Sequence, residues 1–219
     1  MLKFEKVSFA QFEKDYLESV LPFNAEWYEE GHKRYKSGRQ ETGLYGFDRL
    51  LPEFKDPERY IRKIYDDIKL PKRATAGSAG YDFYSTVNVV LNPAGVTYPT
   101  NTYCFGGTAK IPTGIRVKMC KAGSEVYDPI QAVLMLFPRS SMGFKYRMQL
   151  DNTVGIIDAD YYNADNEGHI FIKITNDGNK ELRINVGDAF AQGVVVNFLI
   201  ADDDDVFAKR TGGMGSTTI

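Results

Sequence analysis

Apolar residues in the first third of the chain recur at intervals of three and four. Phe9, Phe12, Tyr16, Leu17 and Val20 form one series, and Tyr60, Ile61, Ile64, Tyr65 and Ile68 another. That spacing puts each set on one face of a helix. Asp56-Pro57 resembles an N-cap followed by proline at the first helical position. Near residue 70 the pattern changes to short β-rich runs: YDFYSTVNVVL, AKIPTGIRVKM, IQAVLMLF, IFIKI, KELRINV and AQGVVVNFLI. Gly, Pro, Asn and Asp punctuate them, and nothing alternates as strand, helix, strand. Many short strands with frequent turns predict a mainly β sandwich or barrel over 70–219, preceded by a helical segment over 1–69.

Composition narrows the function classes. Hydrophobic residues make up 43% of the chain and the formal charge is -2, so it should fold, with no electrostatic reason to bind nucleic acid directly. Without a signal peptide or long apolar span, a soluble cytoplasmic protein with no membrane association is expected. Cys104 and Cys120 are too few for a disulfide framework. With His32 and His169 the only histidines and the cysteines not in CxxC spacing, neither a structural zinc site nor a zinc deaminase is expected. Any metal should arrive with a ligand.

Five patches stand out. ATAGSAGYDF (74–83) is a small-residue loop leading to Asp82, without the ending of a P-loop. FPRSSMG (137–143) places Arg139, Ser140 and Ser141 at a strand exit. A guanidinium fork beside hydroxyl donors suits phosphate, whereas a serine nucleophile would need a GxSxG elbow and a nearby histidine. NTVGIIDADYYNADNEG (152–168) ends a branched apolar run in Asp158. A carboxylate at the edge of an apolar wall suits a general base, although an Asp ending a strand is also a common turn former. VGDAFAQGVVV (186–196) offers Gln192. KRTGGMGSTTI (209–219) combines Arg210 with glycines whose N–H groups could approach an anion.

In this order the five patches resemble the five motifs of the trimeric dUTPase family (dUTP pyrophosphatases), most specifically in PRSS, NTVGIIDADY and RTGGMGST. The resemblance covers 70–219. It implies a jelly roll of the β-clip type, a homotrimer with shared active sites, and cleavage of Mg²⁺-bound dUTP into dUMP and pyrophosphate. Asp158 matches the aspartate that activates water, and Tyr161 the tyrosine packed under deoxyribose. Asn152 with Gly155, Ile156 and Ile157 matches the hairpin that reads uracil, and Phe171 falls along the uridine pocket. Arg139, Ser140, Ser141 and Gln192 match phosphate contacts, and Asp82 an acid near the metal through water. Arg210 with Gly213, Met214, Gly215, Ser216 and Thr217 matches a mobile arm (209–219) that closes over the nucleotide.

Two departures from the family pattern carry expectations. Tyr162 to Asn166, plus Glu167, separate Tyr161 from Gly168, where the family has D-Y-x-G, so the hairpin holding the base should be longer or bulged. Met214 replaces a stacking phenylalanine. A rival, dCTP deaminase, carries a catalytic glutamate where this chain has Lys173. The segment 1–69 lies outside the resemblance and could clamp a trimer, cover the site or dock another protein, as in virus-encoded relatives that bind regulatory proteins. For a virus-encoded chain the compartment would be the host-cell cytoplasm.

Overall fold

The computed structural model describes residues 1–20, 57–97, 102–104, 106–123, 130–206, 210 and 212. Strand β1 (Leu2–Lys6) precedes helices α1 (Phe9–Val20) and α2 (Pro57–Asp67). Then come β2 (Lys72–Arg73), β3 (Tyr81–Tyr84), β4 (Val89–Leu91), β5 (Gly95–Thr97), β6 (Thr102–Cys104), β7 (Thr108–Pro112) and β8 (Ile115–Met119). Strand β9 (Ala132–Pro138) leads into the short helix α3 (Ser140–Tyr146), and β10 (Met148–Leu150) and β11 (Gly155–Asp158) follow. A 3₁₀ turn (Ala159–Asn163), β12 (Phe171–Asn176), β13 (Leu182–Ile184) and β14 (Ala189–Asn197) complete the described elements. No described helix is long and apolar enough to cross a membrane.

The strands form an antiparallel five-stranded sheet in the order β11-β9-β14-β3-β2 and a three-stranded sheet β10-β12-β7. Two-stranded ladders pair β1 with β8, β4 with β13, and β5 with β6. Alternation decides which side chains go inside. In IRVKM, Ile115, Val117 and Met119 are buried while Arg116 and Lys118 point outward. In β9, Ala132, Leu134 and Leu136 turn inward in the same way.

The segment 1–69 differs from its helical expectation at its start. LKFEK is a strand, and it pairs with β8 from Leu2 opposite Met119 to Lys6 opposite Ile115. The apolar faces of both helices then join the core of the sheets. Phe12 is fully buried, Ile61 and Ile64 nearly so, and all three belong to one cluster with Phe83, Ile111 and Ile170. The described part of 1–69 therefore shares its core with the β-rich remainder. A residue-69 boundary divides sequence patterns, not packing. Asp56, expected as an N-cap, lies outside the described residues.

Candidate active site

The β10–β11 hairpin builds the first half of the site. Its turn is tight: Thr153 adopts a left-handed φ of 65°, and its N–H donates to the Leu150 carbonyl at 2.9 Å. The Asp151 N–H donates to the Lys173 carbonyl at 3.0 Å, which ties the turn to β12. Gly155 is buried against β9, where an added Cβ would meet Leu136 Cβ at 3.0 Å. A cavity of about 330 Å³ opens there, with Asn152, Gly155 and Phe171 in its lining. Ile157 points into the core and Ile156 out to solvent at 50% exposure, so neither branched side chain lines the cavity.

Two lysines flank this cavity. The Lys110 ammonium sits 4.1 Å above the Phe171 ring, and Lys173 pairs with Asp151 at 2.6 Å. Desolvation pushes the Asp151 carboxyl up, but hydrogen bonds from Lys173 and Thr175 together outweigh it and hold the group below its usual value. At position 173 the chain thus carries a cation neutralised by a hairpin acid, where deamination would need a free carboxylate.

Asp158 ends β11 and Asp160 lies in the following 3₁₀ turn. Arg210 forks between them, Nη2 to Asp158 at 2.6 Å and Nε to Asp160 at 3.1 Å. Its guanidinium also stands 5.6 Å from the centre of the Tyr161 ring. Tyr161 is only 2% exposed, so in this arrangement its ring is closed to a ligand. The sequence expectation had Arg210 over a nucleotide. Two adjacent carboxylates seat the guanidinium by charge-assisted hydrogen bonds. Gly213, Met214, Gly215, Ser216 and Thr217 lie outside the described residues.

The insertion after Tyr161 does not lengthen the β10–β11 hairpin, contrary to expectation. It folds back on itself by successive turns, the Ala164 N–H donating to Tyr161 O, Glu167 N–H to Ala164 O and His169 N–H to Asn166 O. Gly168 closes the excursion with a φ of 70°, where an added Cβ would stand 2.7 Å from the Tyr161 carbonyl oxygen. A side chain is excluded there both by space and by backbone conformation. Strand β11 meanwhile runs in regular register against β9, from Gly155 opposite Leu136 to Asp158 opposite Val133.

The insertion turns instead toward the N-terminal segment. Glu167 accepts from the Ser8 N–H at 2.7 Å and the Ser8 hydroxyl at 2.6 Å. Desolvation raises its carboxyl, and the two Ser8 bonds overcome that and hold it below the usual glutamate value. The Tyr162 hydroxyl donates to Glu5 at 2.9 Å, and Arg116 stacks 4.6 Å from the Tyr162 ring.

A second cluster forms at the far end of β9. The register of β3 against β14 puts Asp82 opposite Gln192, and β14 against β9 puts Gln192 opposite Phe137. Arg139 Nε approaches Asp82 at 3.5 Å, and Gln192 Nε2 donates to the Pro138 carbonyl at 3.3 Å. Gly80 packs so closely that a Cβ would meet Gln192 Oε1 at 2.7 Å. Ser140 and Ser141 are exposed in α3. Among the described residues no three His, Cys, Asp or Glu side chains converge as a metal site. Asp82 with one arginine suits a divalent ion carried by phosphate oxygens better than a protein cage.

The dUTPase family model matches residues 108–218. A deoxyuridine 5'-triphosphate nucleotidohydrolase of Lactococcus lactis subsp. lactis is 40% identical over 153 residues, 68% of this chain and 88% of that protein. The chain belongs to the dUTPase family. The Hahella chejuensis nucleotidohydrolase of the same name is 34% identical over 163 residues, 71% of this chain and 91% of that protein. The crystal structure of dUTPase from Streptococcus mutans is 34% identical, covering 61% of this chain and 88% of that one, with a TM-score of 0.46. The family match begins at β7, so β1, α1 and α2 precede it, as do β2–β6. Their contacts to the site, through Asp15, Ser8 and Glu5, left no motif in the sequence. His169 was conspicuous only by rarity, and Lys110 only as the outward residue of an alternating strand.

Proposed function

We propose that the protein hydrolyses dUTP to dUMP and pyrophosphate, which keeps uracil out of DNA. The observation that carries this reading is the hairpin: one strand, β11, holds both the cavity wall at Gly155 and, three residues on, Asp158. In this reading Asn152 and the backbone of Gly155, Ile156 and Ile157 recognise the uracil edge, with Phe171 beside it. Hydrogen bonding in a tight pocket discriminates because a wrong base leaves buried polar groups unpaired. Tyr161 lies under the deoxyribose once Arg210 swings off its ring.

Asp158 then takes the proton of a water whose oxygen attacks the α-phosphorus in line. The new P–O bond yields dUMP as the bond to the β-phosphate oxygen breaks and pyrophosphate leaves. Arg139, Ser140, Ser141 and Gln192 donate to the phosphates, and Arg210 with Gly213–Thr217 closes from the arm. Magnesium bound to the triphosphate supplies charge neutralisation for the leaving pyrophosphate, and Asp82 would hold it through water.

The spacing supports a site shared between copies. Asp158 stands opposite Val133, whereas Arg139 follows Pro138 at the other end of β9. The six residue steps from Val133 to Arg139 span about 20 Å of extended backbone. That separation favours completing each site with residues of a neighbouring copy, and a homotrimer would pair half-sites in this way.

The test is pyrophosphate release from each deoxynucleoside triphosphate with Mg²⁺. Release from dUTP alone is expected. Equal release from all of them would overturn the uracil assignment, and ammonia from dCTP would replace hydrolysis by deamination.

A further inference from the structure

Behind the nucleoside half-site a buried polar chain runs from α1 to Tyr161. Asp15 and His169 are 5% and 0% exposed. Asp15 Oδ2 lies 2.5 Å from His169 Nδ1 and also accepts from Gln11 Nε2 at 2.8 Å. The other ring nitrogen, Nε2, accepts the Gly114 N–H at 2.7 Å. A nitrogen that accepts an N–H carries no proton, so the imidazole is the Nδ1–H tautomer and donates to Asp15. The His169 carbonyl accepts the Tyr161 hydroxyl at 2.8 Å and Asn166 Nδ2 at 3.2 Å. Its ring lies 4.6 Å from Phe171 and 6.2 Å from Phe12, centre to centre.

We propose that Asp15 and His169 are a positioning pair for nucleoside selection, through which helix α1 sets Tyr161 and Phe171. The proposal rests on reading those two rings as the sugar and base contacts. The physical reason is that one imidazole is held by α1, the β7–β8 turn and the core. The ring packs its face on Phe171, and the main-chain carbonyl of the same residue receives the Tyr161 hydroxyl. With Asp15 gone, the Nδ1–H loses its buried acceptor and the ring must turn or shift to find another. Tyr161 and Phe171 then lose a fixed support. The pair makes no hydrogen bond to Asp158, whose partner is Arg210, so its effect falls on discrimination rather than on the proton transfer there.

Two measurements test this. In ¹⁵N-histidine spectra of the full chain, His169 should show a protonated Nδ1 and an unprotonated Nε2, with the Nδ1 resonance kept in Asp15→Asn and shifted in Asp15→Ala as its buried acceptor is lost. A wild-type Nε2–H tautomer would overturn the pair. In kinetics, the ratio of kcat/KM for dUTP over UTP should fall on the order of tenfold in Asp15→Ala, within the ~10²-fold that an ångström of misplacement can cost, and recover in Asp15→Asn. A purely structural role would lower the melting temperature and leave that ratio unchanged, which would overturn the proposal. If Asp15→Ala does not fold, Gln11→Ala removes only the donor that orients Asp15. It should lower the ratio in the same direction, and an unchanged ratio there is equally fatal. Wild-type protein that does not distinguish dUTP from UTP would overturn instead the sugar-contact reading beneath the proposal, and the parent alone reveals that outcome.

Discussion

The two halves of the site are built in opposite ways. The half proposed to hold the nucleoside is braced: its hairpin is tied to β12, its wall is β9, and the turn after Asp158 docks on β8 and the N-terminal segment through Glu5, Ser8 and Asp15. The half proposed to hold the phosphates is open. Arg139 is 42% exposed with one long contact to Asp82, and Ser140 and Ser141 point outward from a seven-residue helix. A planar base is told from its rivals by small differences in position, which demands rigid walls. A triphosphate is gripped by charge, and charge tolerates side chains that move into place.

The largest expected effect lies on the braced side. Asp158→Asn keeps the shape of the residue but removes the proton acceptor. Loss of a positioned general base typically costs on the order of 10²–10⁴-fold in rate. Nucleotide affinity should survive or improve as a negative charge near the phosphate disappears. The same change at Asp165, an exposed acid of the insertion, should do little. Pyrophosphate release and a binding titration check both. Near-normal turnover in Asp158→Asn with loss in Asp160→Asn would move the base to the wrong side of the Arg210 fork.

Next comes Phe12→Ala, which attacks the brace itself. Phe12 is fully buried and packs its ring 5.5 Å from Tyr16 and 5.7 Å from Tyr65, centre to centre. Emptying such a site typically costs about 3–5 kcal/mol. Urea unfolding should register that loss as one transition of the whole protein. A loss below about 1 kcal/mol would break the claim that α1 and the sheets share one core.

That packing marks where sequence reading stops. Strands such as IRVKM were legible because burial on one face forces alternation, and both helices because their apolar residues recur at three and four. LKFEK alternates too, but five residues beside a helical pattern carry a weak signal, and its partner β8 lies more than a hundred residues away. Asp158 and Arg139 were legible as chemistry through their motifs. Their separation along β9 was not, because it is a matter of register. The destination of the 162–167 insertion was equally hidden: its acceptors and donors, Glu167 and Tyr162, meet Ser8 and Glu5 only through the fold.

On the open side, Arg139→Ala should spare the fold and weaken substrate capture. An exposed ion pair is worth about 0–1 kcal/mol, so the melting temperature should barely move. KM for dUTP should rise roughly tenfold, the equivalent of ~1.4 kcal/mol from one charge-assisted contact. A large drop in stability would show the phosphate half to be braced after all.

The smallest effect tests one strut of the brace by pH. The folded carboxyl of Glu167 sits below the ordinary 4.5 because the Ser8 bonds outweigh desolvation. A depressed acid stabilises the fold above its unfolded value and gives that stability up as pH falls through the folded one. The contribution should therefore be complete at pH 7 and erode below about 4.5. In Glu167→Gln the amide oxygen still accepts one Ser8 donor but carries no charge. Wild type should thus melt slightly higher than the variant at pH 7, and the gap should narrow as the solution is acidified. For a chain of this size ~1 kcal/mol corresponds to about 2–4 °C, and a solvent-screened strut is expected to fall below that. Melting curves of both proteins between neutral and acid pH decide it. A gap that stays constant with pH would assign the strut to hydrogen-bond geometry alone and remove charge from the account of how the insertion is held.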